Sequence, residues 1–115
     1  MKLKFMVKGD DVFLEHILES INSIQKYCKG VKKSNFSQSQ QLQDAVIRRI
    51  EIIGEAVKKL SEDLKNKNKV IEWKKIAGMR DILIHDYFGV DVNLVWNTIK
   101  KDLPELKKII KEIYK

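Results

Sequence analysis

Apolar residues recur at three- and four-residue steps along nearly the whole chain, and that spacing points to helices almost throughout. Either Asp10 or Asp11 suits an N-cap, after which Phe13, Leu14, Ile17, Leu18, Ile21, Ile24 and Cys28 follow in helical phase up to Gly30. Val31 to Phe36 reads as a polar connection. Ser37 is placed to cap a second, long helix expected to reach about Lys65, and Asn66-Lys67-Asn68-Lys69 marks the turn that follows. A third helix is expected from about Trp73 to about Asp86, with Gly89 closing the loop behind it. Asp91 caps the last helix, whose apolar positions Val92, Val95, Trp96, Ile99, Leu103, Leu106, Ile110 and Ile113 stay in phase across Pro104. That continuity predicts one kinked helix rather than two. Five glycines and one proline in 115 residues supply too few turns for a sandwich or barrel of short strands. The expected fold is all-α: an antiparallel four-helix bundle forming a single domain over residues 10–115, preceded by an arm at residues 1–9.

The second helix carries more apolar surface than an outer helix of such a bundle needs. Asp44, Arg48, Glu51, Glu55, Lys58 and Glu62 fall within a stripe roughly 80° across. Val46, Ile50, Ile53, Val57 and Leu60 centre on the opposite side, flanked by Ala45, Ile52 and Ala56, with Ile47 and Gly54 beyond. The apolar arc is about 220°, against little more than 100° for an ordinary surface helix. The excess predicts a dimerising chain, with a second copy covering the surplus. A central position inside its own bundle is the competing explanation.

Composition narrows the class of function. At 43% hydrophobic and 34% charged residues the chain can bury a core and is not of the disordered type. Its single cysteine, Cys28, excludes an internal disulfide framework and a thiolate zinc cluster. No apolar run approaches the roughly 18 residues of a membrane span, and the alternation of Leu3, Phe5 and Val7 with lysines is not a signal-peptide core. A cytoplasmic protein without a membrane partner is expected. Lys plus Arg number 23 against 16 Asp plus Glu, a net charge of +7, which favours polyanions and nucleic acid first among them. Twenty of those 23 are lysines spread along the chain, so a merely soluble lysine-rich surface fits the count equally well.

Several chemistries are missing. His16, His85 and one cysteine do not make a zinc site, and neither H-E-x-x-H nor C-x-x-C occurs. Nor does the G-x-x-x-x-G-K-S/T phosphate loop or a G-x-S-x-G elbow. No metal and no cofactor are expected. His16 has ordinary amphipathic surroundings and reads as structural or solvated. His85 has different company: Arg80-Asp81-Ile82-Leu83-Ile84-His85-Asp86-Tyr87 puts a guanidinium, an imidazole and a phenol within eight residues, between Gly78 and Gly89. Imidazole exchanges protons near neutral pH, and guanidinium grips two phosphate oxygens at once. Together they suit phosphoryl chemistry on RNA, whose 2′-hydroxyl is a built-in nucleophile. An arginine paired with an acidic neighbour, beside a helix-end histidine, is the plain structural alternative. On an unbroken helix His85 points about 140° away from Arg80, so joint contact with one phosphate needs a helix end near His85 or two subunits.

The segment Arg80 to Val90, R-D-I-L-I-H-D-Y-F-G-V, resembles the R-x-x-x-x-H-x-Y signature of the HEPN superfamily, and most closely its HepT toxin family. The likeness spans roughly Asp11 to Ile113. It takes in Phe13-Leu14-Glu15-His16-Ile17-Leu18, Leu42-Gln43-Asp44-Ala45-Val46-Ile47-Arg48, Ile50-Glu51-Ile52-Ile53-Gly54-Glu55-Ala56, Trp73 through Arg80, Val95-Trp96 and Asp102-Leu103-Pro104-Glu105-Leu106. The resemblance implies a four-helix HEPN fold, a homodimer with the motif at an interfacial cleft, and metal-independent cleavage of RNA rather than DNA. Arg80 and His85 match the family's catalytic pair. Tyr87 matches the tyrosine that receives AMP from a minimal nucleotidyltransferase antitoxin, an enzyme that uses ATP. Asp86 stands where members often carry a small residue, and Asp81 where an asparagine is common. Asp86 adds a carboxylate beside the cleft, and Asp81 is placed to tie Arg80 into a salt bridge.

The expected function is therefore a ribonuclease toxin of a toxin–antitoxin pair, switched off by AMP on Tyr87. The alternative is a non-catalytic helical partner or RNA-binding module of a nucleotidyltransferase. Arg48, Glu51 and Glu55 share a face of the second helix, placed either to orient Arg80 or His85 or to form only a solvated ion-pair stripe.

Overall fold

The computed structural model describes the backbone of residues 9–85 and 91–114, and the side chains of these except Arg80 and 82–85. Its elements are α1 (Asp10–Tyr27), α2 (Lys33–Gln38), α3 (Gln40–Lys59), α4 (Glu62–Lys67), α5 (Trp73–His85), α6 (Val92–Asn97), a π turn (Thr98–Asp102) and α7 (Leu103–Ile113). The described residues are all-helical, with no strand among them, as the helical spacing demands. Four long helical runs build a helical bundle, compatible with the HEPN type that the sequence resembles: α1, α3, α5 and the α6–π–α7 run. Of the expected arm at residues 1–9, only Gly9 lies within the described residues.

Polar contacts fix the antiparallel order of the helices. Ser61, just past α3, sits on Asp10 at the start of α1, while Tyr27 at the end of α1 shares a groove with Leu42 and Ala45 of α3. Lys58 of α3 meets Asp81 of α5 at 3.3 Å. Lys75 of α5 meets Asp102 at 3.5 Å, and the Thr98 hydroxyl lies 3.9 Å from the Met79 sulfur. Lys107 donates to Gln25 at 2.8 Å, and Tyr114 donates to the Asp11 carbonyl at 3.3 Å. Between the helices lie fully buried Leu14, Ile17, Ile21, Ile24, Val46, Leu106 and Ile110, each contributing roughly 1.5–3 kcal/mol by leaving water.

Local boundaries differ from the spacing-based expectations in four places. Asp10 is not the N-cap of α1; Gly9 is, at φ 99, a conformation open to glycine. The Asp10 carboxylate, 2% exposed, instead accepts from the Ser61 backbone N–H at 2.9 Å and the Ser61 hydroxyl at 2.6 Å. Those two bonds hold Ser61 in an extended conformation, so the expected long second helix stops at Leu60 and restarts as α4, capped by the Ser61 hydroxyl. The polar connection after Gly30 holds the short helix α2, which drops Phe36 fully into the core against Trp96. Ser37 lies inside that helix, and Ser39 caps α3 by accepting from Leu42 N–H at 3.1 Å. Buried Gln43 donates to the Phe36 and Ser37 carbonyls, satisfying groups that the end of α2 leaves open.

Pro104 is the second residue of α7, and the chain stays helical through it. A proline ring presses on the carbonyl four residues back, here Lys100, and removes one ladder donor. The wider π turn at 98–102 absorbs both effects just ahead of the proline. The broad apolar arc of α3 is also accounted for in good part within one chain: α1 and α5 flank it, and Ala45, Ile47 and Ile52 are half-buried. Exposed large apolar side chains among the described residues are Val12, Tyr27 and Val70, none on α3.

Candidate active site

Helix α5 begins where the α4–α5 turn locks. Asn68 donates to the Leu64 carbonyl at 2.8 Å, and the Trp73 indole donates to the Asn68 carbonyl at 3.1 Å. Ile76 and Met79 then fix the buried face of α5, which continues as helix to His85. Positions 80 and 85 therefore stand on one unbroken helix, about 140° apart around its axis. The helix does not end between them. The side chains of Arg80 and His85, and Asp86 and Tyr87 entirely, lie outside the described residues.

The acidic stripe of α3 does run beside this part of α5. The Lys58–Asp81 bridge sets the register, and Glu55 and Glu51 follow about one and two turns further along, toward the His85 end. Arg48 pairs with Glu51 at 3.7 Å, with the arginine side chain 72% exposed. A long, solvated i,i+3 pair of this kind contributes little stability. Glu55 is exposed on the same face. Sequence spacing places Asp81 beside Arg80. The cross-helix bridge from Asp81 to Lys58 is not visible there, because pairing between α3 and α5 leaves no mark in either helix's own periodicity.

Other reactive groups are placed away from this face. The buried Cys28 thiol is pushed above its ordinary pKa by burial, against the pull of nearby Lys100, which makes it a poor nucleophile at neutral pH. His16 is exposed, edge-on to Phe13 with ring centres 6.2 Å apart. Among the described residues no group of three or more His, Cys, Asp or Glu is placed to hold a metal ion. Among them, too, no helix is long and apolar enough to cross a membrane.

Comparison with known proteins decides the family. Residues 17–113 match the family described as "Ribonuclease HepT-like". The chain belongs to the HepT-like ribonuclease family. A Methanocaldococcus jannaschii protein named "Gamma-glutamylcyclotransferase and putative RNase" is 53% identical over 94% of the HepT-like chain, which spans about half (49%) of that relative. A Caldanaerobacter subterraneus protein named "Putative RNase" is 46% identical, covering 88% of this chain and 90% of its own. The "Probable ribonuclease HepT" of Thermococcus cleftensis is 43% identical, covering 89% and 93%. No solved structure gives a significant match. The matched span contains Arg80, His85 and Tyr87, so the HepT-like assignment includes the motif-bearing end of α5.

Proposed function

We propose that this chain is the endoribonuclease toxin of a toxin–antitoxin pair, working in the cytoplasm as a homodimer whose cleft brings two copies of the α5 motif together. The observation that carries this is the R-x-x-x-x-H-x-Y motif, whose Arg80 and His85 positions stand on α5, inside a segment that matches a ribonuclease family. The unbroken α5 supports the dimer: a twofold-related copy supplies what one helix, with positions 80 and 85 turned apart, does not.

In this mechanism His85 takes the proton from an RNA 2′-hydroxyl, whose oxygen then attacks the adjacent phosphorus. The bond to the 5′-oxygen breaks, that oxygen takes up a proton, and a 2′,3′-cyclic phosphate remains. Arg80 stabilises the charge gathering on the phosphate, and the partner's copy of the motif supplies the second proton-transfer group. No metal ion enters the scheme. Tyr87 is the off-switch. Its hydroxyl oxygen attacks the α-phosphorus of ATP on a minimal nucleotidyltransferase, pyrophosphate leaves, and the attached AMP brings bulk and negative charge next to Arg80.

The test is incubation with total RNA and analysis of the new ends, with and without chelator. Cleavage undiminished by chelator and cyclic phosphate ends are expected. Mixing inactive Arg80→Ala and His85→Ala chains should restore part of the activity if each site draws on both protomers. Co-expression with the candidate nucleotidyltransferase should add AMP mass that Tyr87→Phe abolishes. A folded wild-type dimer that binds RNA but never cuts it would instead be a binding module.

A further inference from the structure

Lysines are abundant over the whole surface, but their neighbours differ from one end of the bundle to the other. Beside the α4–α5 turn three of them are paired with carboxylates: Lys58 bridges Asp81, Lys65 bridges Glu62, and Lys75 bridges Asp102. At the C-terminal end of α1 they stand in a stretch of chain without acids. Between Glu19 and Asp44 the sequence holds four lysines, Lys26, Lys29, Lys32 and Lys33, and not one Asp or Glu. All four are exposed, on the last turn of α1, the loop that follows and the first residue of α2. The last helical run brings two more to the same place. Lys100 lines a groove with Lys29 and Gly30 and stands 4.8 Å over the Trp96 ring, and Lys107 is held by neutral Gln25.

Among the described residues none of these six lysines has a carboxylate within salt-bridge distance. The acids nearest on the last run, Asp102 and Glu105, line a different pocket together with Lys75. Each contact made by Lys100 and Lys107 orients an ammonium without neutralising it, and a cation held over an indole keeps its full charge. Six uncompensated charges on one surface repel one another and cost stability, which fits a surface that awaits a polyanion. A protein interface suits it poorly, since lysine is depleted at such interfaces.

The surface also lies on the correct side of the motif. In the Lys58–Asp81 register, His85 is about 6 Å beyond Asp81, toward the α3 N-terminus. Tyr27, beside Lys26, packs near Leu42, about 24 Å beyond Lys58 in the same direction. The basic end thus stands roughly 18 Å along the bundle from the level of His85, a distance a few nucleotides cover.

We propose that the lysines of this acid-free stretch, Lys26, Lys29, Lys32 and Lys33, together with Lys100 and Lys107 beside them, form a docking surface for the phosphate backbone of single-stranded RNA flanking the scissile bond. It acts on backbone charge rather than base identity, so it sets affinity and minimum substrate length, not sequence preference. The assignment rests on the ribonuclease function proposed above for its substrate, but its binding readout does not require cleavage.

The test compares two fourfold variants: Lys26, Lys29, Lys32 and Lys33 all to Gln, and, as an equal-charge control, Lys65, Lys67, Lys69 and Lys74 all to Gln. In a His85→Ala background, binding of a labelled oligouridylate is followed by anisotropy across a salt series. The basic-end variant should bind at least roughly tenfold more weakly, its log–log salt slope shallower by about 0.7 for each phosphate that the variant no longer neutralises; the control should change little. With His85 restored, the basic-end variant should cut the long oligonucleotide less efficiently and a dinucleotide as well as wild type. Equal weakening in both variants would reduce the effect to net charge and overturn the proposal. So would unchanged RNA binding in the basic-end variant, and if that variant also failed to capture a nucleotidyltransferase, the surface would belong to an acidic protein. A wild type that binds in this manner but cuts nothing would defeat the ribonuclease proposal and leave the docking surface standing.

Discussion

At one end of the bundle Asp10 is buried against Ser61, and the lysines around the following turn meet Glu62, Asp81 and Asp102. At the other end Lys26, Lys29, Lys32 and Lys33 stand on backbone with no acid between Glu19 and Asp44. The first end uses part of its charge on itself: Lys58, Lys65 and Lys75 each meet a carboxylate within 4 Å, and Asp10 holds Ser61 at the helix break. The second leaves its charges uncancelled, and the α5 motif lies toward that side. The same lysine-rich composition thus holds helices in place at one end and leaves an electrostatic field at the other.

Substitutions that separate function from stability break this comparison most sharply. His85→Ala should cut RNA cleavage by roughly 10²–10⁴-fold, the usual contribution of a general acid or base, with an unchanged melting temperature. Asp10→Ala should do the reverse. Removing a buried carboxylate strands the Ser61 N–H and costs about 2–3 kcal/mol, read as a lower urea midpoint with cleavage per folded molecule intact. Ser61→Ala should cost less, about 1–2 kcal/mol, because the backbone bond to Asp10 survives. Unfolding midpoints within experimental error of wild type for Asp10→Ala would mean that the joint holds nothing.

How far these features are legible in the sequence follows from how local they are. The helices can be read because burial of Leu14, Ile17, Ile21 and Ile24 imposes its own period on α1. The break at Leu60–Ser61 cannot. Leu60 and Leu64 are both buried at a helical i,i+4 spacing, so the pattern runs straight through a stop enforced by Asp10, fifty-one residues away in sequence. Phe36 gives no periodic signal either, since a six-residue helix offers one buried position. The motif Arg80, His85, Tyr87 is visible as a string, whereas the divergence of positions 80 and 85 becomes a constraint only once α5 is continuous to His85. The basic end is hidden by counting lysines over the whole chain. The acid-free run from residue 20 to 43 is the available clue, and it gains meaning when Lys100 and Lys107 are placed beside it.

Between the two ends, the exposed stripe of α3 tests whether nearness to α5 matters. Arg48→Ala should change stability by less than about 0.5 kcal/mol, as an exposed pair at 3.7 Å implies. Glu55→Gln should leave both melting temperature and cleavage at wild-type values. A clear fall in cleavage at unchanged stability would instead assign Glu55 a positioning role toward His85.

The smallest expected effects are two titrations of opposite character, one at each end. Cys28 belongs to the basic end: burial raises its pKa, and Lys100 pulls it down. Tyr114 belongs to the other: burial raises its pKa, and Glu15 and Asp11 raise it further. Both groups have folded-state values above their unfolded ones, so what they contribute to stability is intact below the unfolded values and is lost as pH climbs through the alkaline range. The two respond oppositely to neutralising their neighbours. Lys100→Gln removes an attraction for thiolate, so the Cys28 pKa should rise, and alkylation by iodoacetamide should slow at any pH below it. Asp11→Asn with Glu15→Gln removes a repulsion of tyrosinate, so the Tyr114 pKa should fall. That shift is read from the tyrosinate absorbance in a Tyr27→Phe, Tyr87→Phe background, which leaves Tyr114 as the one tyrosine. Added salt should move the pair in the same opposed directions, though less, because partly buried charges are screened weakly. Shifts of equal sign at both ends would mean that the charges of the chain act as one averaged surface, and the contrast between the ends would be lost.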